Sequence, residues 1–336
     1  MKTSIRLHFS CLLLAVLLVP VWSASGGEDA YDPLSVPVVN ASEPVDLVVH
    51  DRSRHREIPV RVYLPLRKQP APVVLFSHGL GGSREGSPFL GHHWAARGYV
   101  AVFLQHPGSD TAVWKGKHAE KRMAAMRRAA SAENYLLRVK DVSAVLDQLA
   151  LWNGQEGHAL SGRLDMTRVG MSGHSFGAVT TQAVSGQVAG RGRGTFRGFT
   201  DPRIKAAVIL SPSSPRRGSA KQAFARVAIP WMLMTGTKDL AFVANIDMKS
   251  RLAVFPALPE GGKYEVVLYN AEHSAFTDRA LPGDREKRNP NHHRVILALS
   301  TAFWDVWLRD DMAAKVWLDG GGPSAILDAQ DTWRRK

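Results

Sequence analysis

The chain has 336 residues, 45% of them hydrophobic, which is ample for one large α/β domain. Its formal net charge is +13, from 43 Lys and Arg against 30 Asp and Glu; no recognition motif accompanies that charge, so nucleic-acid binding is not expected. The single cysteine, Cys11, lies in the N-terminal apolar segment, which leaves no disulfide, thiol nucleophile or cysteine metal site in the rest of the chain.

Lys2 and Arg6 precede the apolar run Cys11 to Val21, and the small residues Ser23, Ala24, Ser25 and Gly26 follow. A basic start, an apolar stretch too short to span a bilayer and small residues at the cut make residues 1–25 a secretory signal peptide, cleaved near Ser23 to Ser25. The mature protein is then secreted or periplasmic, with no stable membrane insertion after cleavage, and its lack of cysteine suits bacterial export. Residues 26–44 read as an extended leader.

The main α/β domain is expected over 45–310. Val45 to Val49 and Ile58 to Leu64 alternate apolar and polar around the turn 51–56, the pattern of an antiparallel hairpin. Continuous apolar runs follow at Val73–Phe76, Tyr99–Leu104, Val169–Ser172, Ala206–Leu210, Ile229–Thr235 and Tyr264–Tyr269. Separated by helical stretches, such runs imply strands buried on both faces, hence a mostly parallel sheet with helices on both sides. Glu133 to Leu151 is the clearest helix, with Val142, Val145, Leu146 and Leu149 on one stripe; a last helix covers roughly His293 to Leu308. Two long connections stand out: 107–132, with Trp114 amid Lys115, Lys117, Lys121, Arg122, Arg127 and Arg128, and 185–200, with Arg191, Arg193 and Arg197. The first is a candidate cap over a site at the carboxyl ends of the strands. Gly320 to Pro323 breaks the chain inside a C-terminal tail, 311–336.

Val169 to Ala178 runs from an apolar strand through Gly173-His174-Ser175-Phe176-Gly177 into a small-residue helix start. This order suits a serine on a strained strand-to-helix turn, with flanking glycines where a Cβ would collide with neighbouring backbone. A serine hydroxyl needs a histidine to take its proton and a carboxylate to fix the imidazole tautomer. Asp239 follows the Ile229–Thr235 strand in a G-T-K-D turn, and His273 follows the Tyr264–Tyr269 strand, so Ser175, Asp239 and His273 each stand just past a strand end. Asp247 and Glu272 are the other carboxylates nearby. A developing oxyanion would need two backbone donors: the Phe176 N–H after the serine, and the Leu80 N–H in the Gly-rich loop Ser77 to Ser83. His92-His93 and His292-His293 match no metal-binding spacing, and the Gly-rich loop lacks a following G-K-[ST], so no metal and no cofactor are expected.

Several further segments carry a resemblance: Val60 to Pro65, Phe76-Ser77-His78-Gly79, Gly98-Tyr99-Val100 through His106 to Asp110, Arg138 to Val142, Gly173 to Gly177, Asp201 to Ala206 and Thr235 to Asp239. On these the chain resembles, over most of 45–310, the bacterial predicted dienelactone hydrolase-like group of α/β-hydrolases, related to platelet-activating factor acetylhydrolases and more distantly to bacterial cutinases. The resemblance implies an α/β-hydrolase fold and the triad Ser175, Asp239 and His273. True dienelactone hydrolases use a cysteine where this chain has Ser175, which favours a carboxylic ester hydrolase, a serine esterase. The substrate implied is a small-molecule or lipid-like ester; a lipid- or polyester-directed hydrolase of the same fold and a non-catalytic binding protein on a hydrolase scaffold are the alternatives. The oligomeric state stays open.

Overall fold

A nine-stranded sheet organises the computed structural model. The model describes residues 30–36, 43–190, 196–241, 243, 245–281 and 283–336. The expected signal peptide, most of the leader, and Arg191 and Arg193 lie outside the described residues.

The alternating segments form the hairpin β1 (Val45–Asp51) and β2 (Arg56–Tyr63), paired antiparallel with Val49 opposite Ile58. Then come β3 (Ala71–Ser77), α1 (Pro88–Ala96), β4 (Val100–Leu104), α2 (Ala119–Ala129) and α3 (Ala132–Gly154). The chain continues through β5 (Leu164–His174), α4 (Phe176–Val184), the short pair β6 (Val188–Gly190) and β7 (Phe196–Gly198), and β8 (Ile204–Leu210). It closes with α5 (Ala220–Phe224), β9 (Trp231–Lys238), α6 (Met248–Leu252), α7 (Val254–Ala257), β10 (Lys263–Glu272), α8 (Pro290–Arg309), α9 (Met312–Asp319), α10 (Gly322–Ile326) and β11 (Thr332–Arg335). The sheet order is β1-β2-β4-β3-β5-β8-β9-β10-β11; β4, β3, β5, β8, β9 and β10 are mutually parallel, and antiparallel pairs flank them at both edges. The protein is therefore α/β, with a mostly parallel central mixed sheet.

The continuous apolar runs are explained by helices on both faces. Along β3, Val74 and Phe76 pack with Trp94, Phe103 and Trp304 towards α1 and α8, while Val73 and Leu75 pack with Val142, Val145 and Leu149 of α3. Ser131 caps α3 by accepting from Asn134 N–H at 3.1 Å. Buried Asp305 on α8 accepts from Tyr31, Tyr99 and Arg97, which fastens the segment before β1 to the core.

The C-terminal residues, expected as a tail, instead extend the sheet. Thr332, Trp333, Arg334 and Arg335 pair antiparallel with Val267, Val266, Glu265 and Tyr264, and Trp333 stacks on Tyr264. Four residues are too few for a period-two pattern to announce a strand; the open edge of β10 supplies the missing half of the ladder. Among the described residues no helix is long and apolar enough to cross a membrane.

Candidate functional site

Ser175 sits between the end of β5 and the start of α4, at φ 58° and ψ −114°. That left-handed backbone is strained for a residue with a Cβ, and the surroundings hold it there. A Cβ on Gly177 would lie 1.8 Å from the Ser77 carbonyl oxygen, and one on Gly173 would lie 2.4 Å from the Gly177 carbonyl oxygen. The two glycines thus let α4 press against the ends of β3 and β5. Ser175 N–H donates to Leu210 O at 3.0 Å, and the side chain is half-buried.

Asp239 and His273 are brought together by a comparable close approach. A Cβ on Gly236 would fall 2.1 Å from Ala271 O, so the ends of β9 and β10 touch through backbone at this glycine. Asp239 follows β9, and His273 opens a single turn of 3-10 helix, His273–Phe276, after β10. His273 Nδ1 lies 2.6 Å from Asp239 Oδ1, and His273 Nε2 lies 2.8 Å from Ser175 Oγ. An ionised carboxylate only accepts, so Nδ1 carries the proton and Nε2 is free to accept from the serine hydroxyl. Asp239 is fully buried, and Thr235 Oγ1 donates to its second oxygen at 2.9 Å. Burial opposes its charge, but the Arg251 guanidinium and the His273 ring outweigh burial and hold the carboxyl well below the usual carboxylate range.

Arg251 is a residue that the sequence pattern did not disclose. It stands on α6, buried, with Nη2 2.9 Å from Asp239 Oδ1. Nε donates to Asp239 O at 2.6 Å, and Nη1 donates to Ser211 O at 2.7 Å and Pro212 O at 3.0 Å. The guanidinium therefore grips both ends of the aspartate and the loop after β8. The other nearby carboxylates are engaged elsewhere: Asp247 caps α6 by accepting from Ser250 N–H, and Glu272 accepts from Arg285 and Glu286 N–H. His174, immediately before the serine, packs its ring 4.6 Å from that of His273. Burial and the neighbouring His273 hold it well below its ordinary value, so it stays neutral.

The loop after β3 lies against the serine. A Cβ on Gly79 would come within 3.3 Å of Ser175 Cβ. His78 Nδ1 donates to Gly79 O at 2.6 Å, and Gly82 N–H donates to the same oxygen at 3.1 Å. In a trans peptide the N–H opposes the carbonyl, so fixing Gly79 O also fixes the direction of the Leu80 N–H. Phe176 N–H, in the first turn of α4, has no intrahelical acceptor. Gly79, whose carbonyl carbon bonds to the Leu80 nitrogen, and Phe176 therefore both adjoin Ser175.

The connection 107–132 packs on this loop. Trp114 Nε1 donates to Gly81 O at 2.7 Å, Gly81 N–H donates to Ser109 O at 2.8 Å, and Gly82 bridges to Asp110. A Cβ on Gly81 would meet Met126 at 2.7 Å. Lys115, Lys117, Lys121 and Arg122 are exposed on the outer side of this segment, and the Arg122 guanidinium lies 5.8 Å from the Trp114 ring.

The paired histidines diverge. His92 packs edge-on against Tyr63, His93 reaches Pro33 O, His292 reaches Tyr269 O and His293 stacks on Phe89. Among the described residues no group of three or more His, Cys, Asp or Glu is placed to hold a metal ion. A scan against protein-family models and a search of curated proteins gave no match.

Proposed function

We propose that the protein is an exported serine hydrolase of the α/β-hydrolase fold that cleaves carboxylic esters through an acyl-enzyme. The observation that carries this reading is the relay Ser175 Oγ to His273 Nε2 at 2.8 Å and His273 Nδ1 to Asp239 Oδ1 at 2.6 Å, on a serine at φ 58°. Attack of Ser175 Oγ on the acyl carbon passes the hydroxyl proton to His273 Nε2. Asp239, ionised and buried, stabilises the imidazolium that forms. The carbonyl oxygen becomes an oxyanion facing the N–H groups of Leu80 and Phe176, where one donor contributes roughly 3–4 kcal/mol to the transition state. His273 then returns the proton to the departing alcohol. Water, activated by the same imidazole, hydrolyses the acyl-enzyme and frees Ser175. The chemistry needs no metal or cofactor, and the substrate is a small-molecule or lipid-like ester.

A panel of p-nitrophenyl esters of graded acyl length, run beside a phospholipid and a polyester, tests the reading and ranks its substrates. Turnover that disappears in Ser175→Ala supports it. No hydrolysis of any of these by the wild-type protein favours a binding protein on a hydrolase scaffold instead.

A further inference from the structure

We infer that Arg138 is a positioning residue that holds both halves of the oxyanion site in register; this rests on the serine-hydrolase reading of Ser175. Arg138 stands on α3 and is fully buried. Nη2 donates to Ser77 Oγ at 3.1 Å and to the His78 carbonyl, which opens the loop carrying Leu80. Nη1 donates at 3.0 Å to the hydroxyl of Ser109, whose own carbonyl anchors Gly81 N–H. Nε donates at 3.1 Å to Thr180 Oγ1 on α4, and the guanidinium centre lies 4.6 Å from the Phe176 ring. One rigid, planar cation thus touches the supports of the Leu80 donor and the helix that begins with the Phe176 donor.

The chemistry of these partners argues for a use beyond packing. The hydrogen-bond acceptors just named are neutral oxygens, and burying a cation without a directly bonded carboxylate is unfavourable. Burial accordingly lowers the guanidinium to about 9. A positive charge held in a dry interior behind the two donors favours the state in which negative charge develops in front of them.

A second relay keeps Arg138 aimed. Ser77 Oγ lies 2.9 Å from His106 Nε2, and His106 Nδ1 lies 2.9 Å from Asp141 Oδ2. Arg54 and Arg56, at the turn between β1 and β2, donate to Asp141 at 2.9 and 2.7 Å. The groups repeat the order serine, histidine, aspartate of the relay at Ser175, yet Ser77, His106 and Asp141 are all fully buried, so no substrate reaches them. Their role is directional. Asp141 accepts from His106 Nδ1–H, leaving Nε2 to accept from the Ser77 hydroxyl. The Ser77 oxygen is then free to accept from Arg138.

Arg138→Lys in the full-length protein tests the inference, because it keeps the charge while losing the planar fork. In this variant kcat for a p-nitrophenyl ester should fall about 10²-fold, with KM changed less than about threefold, since the donors act on the transition state. Affinity for an alkyl boronic acid, which forms a tetrahedral oxygen anion on Ser175, should fall by a similar factor. The low-field proton resonance of His273 Nδ1–H should persist. Ser109→Ala removes one anchor of the guanidinium with little burden on folding, and it should lower kcat and boronate affinity together by about tenfold. Wild-type kcat and boronate affinity in either soluble variant, or loss of the low-field resonance along with activity, would overturn the inference. Ser175→Ala is measured in parallel: turnover surviving there sinks the serine-hydrolase reading, and this inference with it. An inactive Ser175→Ala beside a fully active Arg138→Lys sinks this inference alone.

Discussion

Gly236→Ala perturbs the acid–histidine pair without touching either residue. The added Cβ would lie 2.1 Å from Ala271 O, and ordinary contact begins near 3.4 Å, so the ends of β9 and β10 must part by more than 1 Å. The obstructing atom is backbone, which cannot rotate away. Asp239 stands three residues after Gly236 and His273 two residues after Ala271, so the displacement falls on their 2.6 Å hydrogen bond and stretches it past the range of a useful one. An ångström of misplacement lowers a rate by about 10²-fold, and full loss of an orienting carboxylate lowers it by about 10⁴-fold in the best-studied serine protease. The expected fall in kcat lies between those limits, with KM nearly unchanged. Overpacking a strand end should lower stability by about 1–3 kcal/mol, leaving the protein folded. Steady-state kinetics on a p-nitrophenyl ester, with urea unfolding of the same sample, reads both quantities. Gly154→Ala is the control, since a Cβ there meets nothing within 4 Å. A folded Gly236→Ala with kcat within threefold of wild type would refute the claim that this glycine sets the Asp239–His273 distance.

Arg251→Met strands the buried Asp239 carboxylate and should lower stability by roughly 3 kcal/mol and kcat by tenfold or more, with partial recovery in Arg251→Lys; unchanged unfolding in urea would show that the ion pair contributes nothing. His106 is held at about 4, chiefly by burial and then by the Arg138 charge, against an ordinary value of 6.5. As pH falls below 6.5 the unfolded chain binds a proton that the folded protein refuses, so stability present above 6.5 is lost down to about 4, by roughly 3 kcal/mol. Replacing His106 with Gln should flatten that part of the stability profile, measured by urea unfolding at several pH values; an identical slope in the variant would count against it. Replacing Lys115, Lys117, Lys121 and Arg122 with Gln should lower kcat/KM for an anionic ester more than for a neutral one and weaken its salt dependence. Equal effects on both esters would reduce the segment to a solvated face.

The parts of the site that were legible in the sequence are those bound to a strand end. Ser175 is marked by glycines that close packing requires on both sides, and Asp239 and His273 each follow a buried run by a few residues. Leu80 and Phe176 follow from the Gly-rich loop and the serine. The roles of Arg138 and Arg251 escape the sequence pattern, because in sequence a buried guanidinium looks like a solvated one. Arg138 did carry a signal: it precedes Val142 by four positions and Val145 by seven, so it falls on the apolar stripe of α3. Arg251 carries none, since its short helix shows no period and its partners are contributed by the turn after β9 and the loop after β8. Asp141 lies in the segment Arg138 to Val142, but its relay to Ser77 through His106 depends on the parallel pairing of β3 with β4, which a single sequence does not display.

Trapping of the covalent intermediate identifies the nucleophile itself. The full-length protein mixed with a p-nitrophenyl ester should release a burst of p-nitrophenol close to one equivalent when deacylation is the slower step. Acid quenching within the burst, followed by proteolysis and mass spectrometry, should then find the acyl group on Ser175 alone. Acylation of another residue, or hydrolysis with an unmodified Ser175 under conditions that show a burst, would contradict the account.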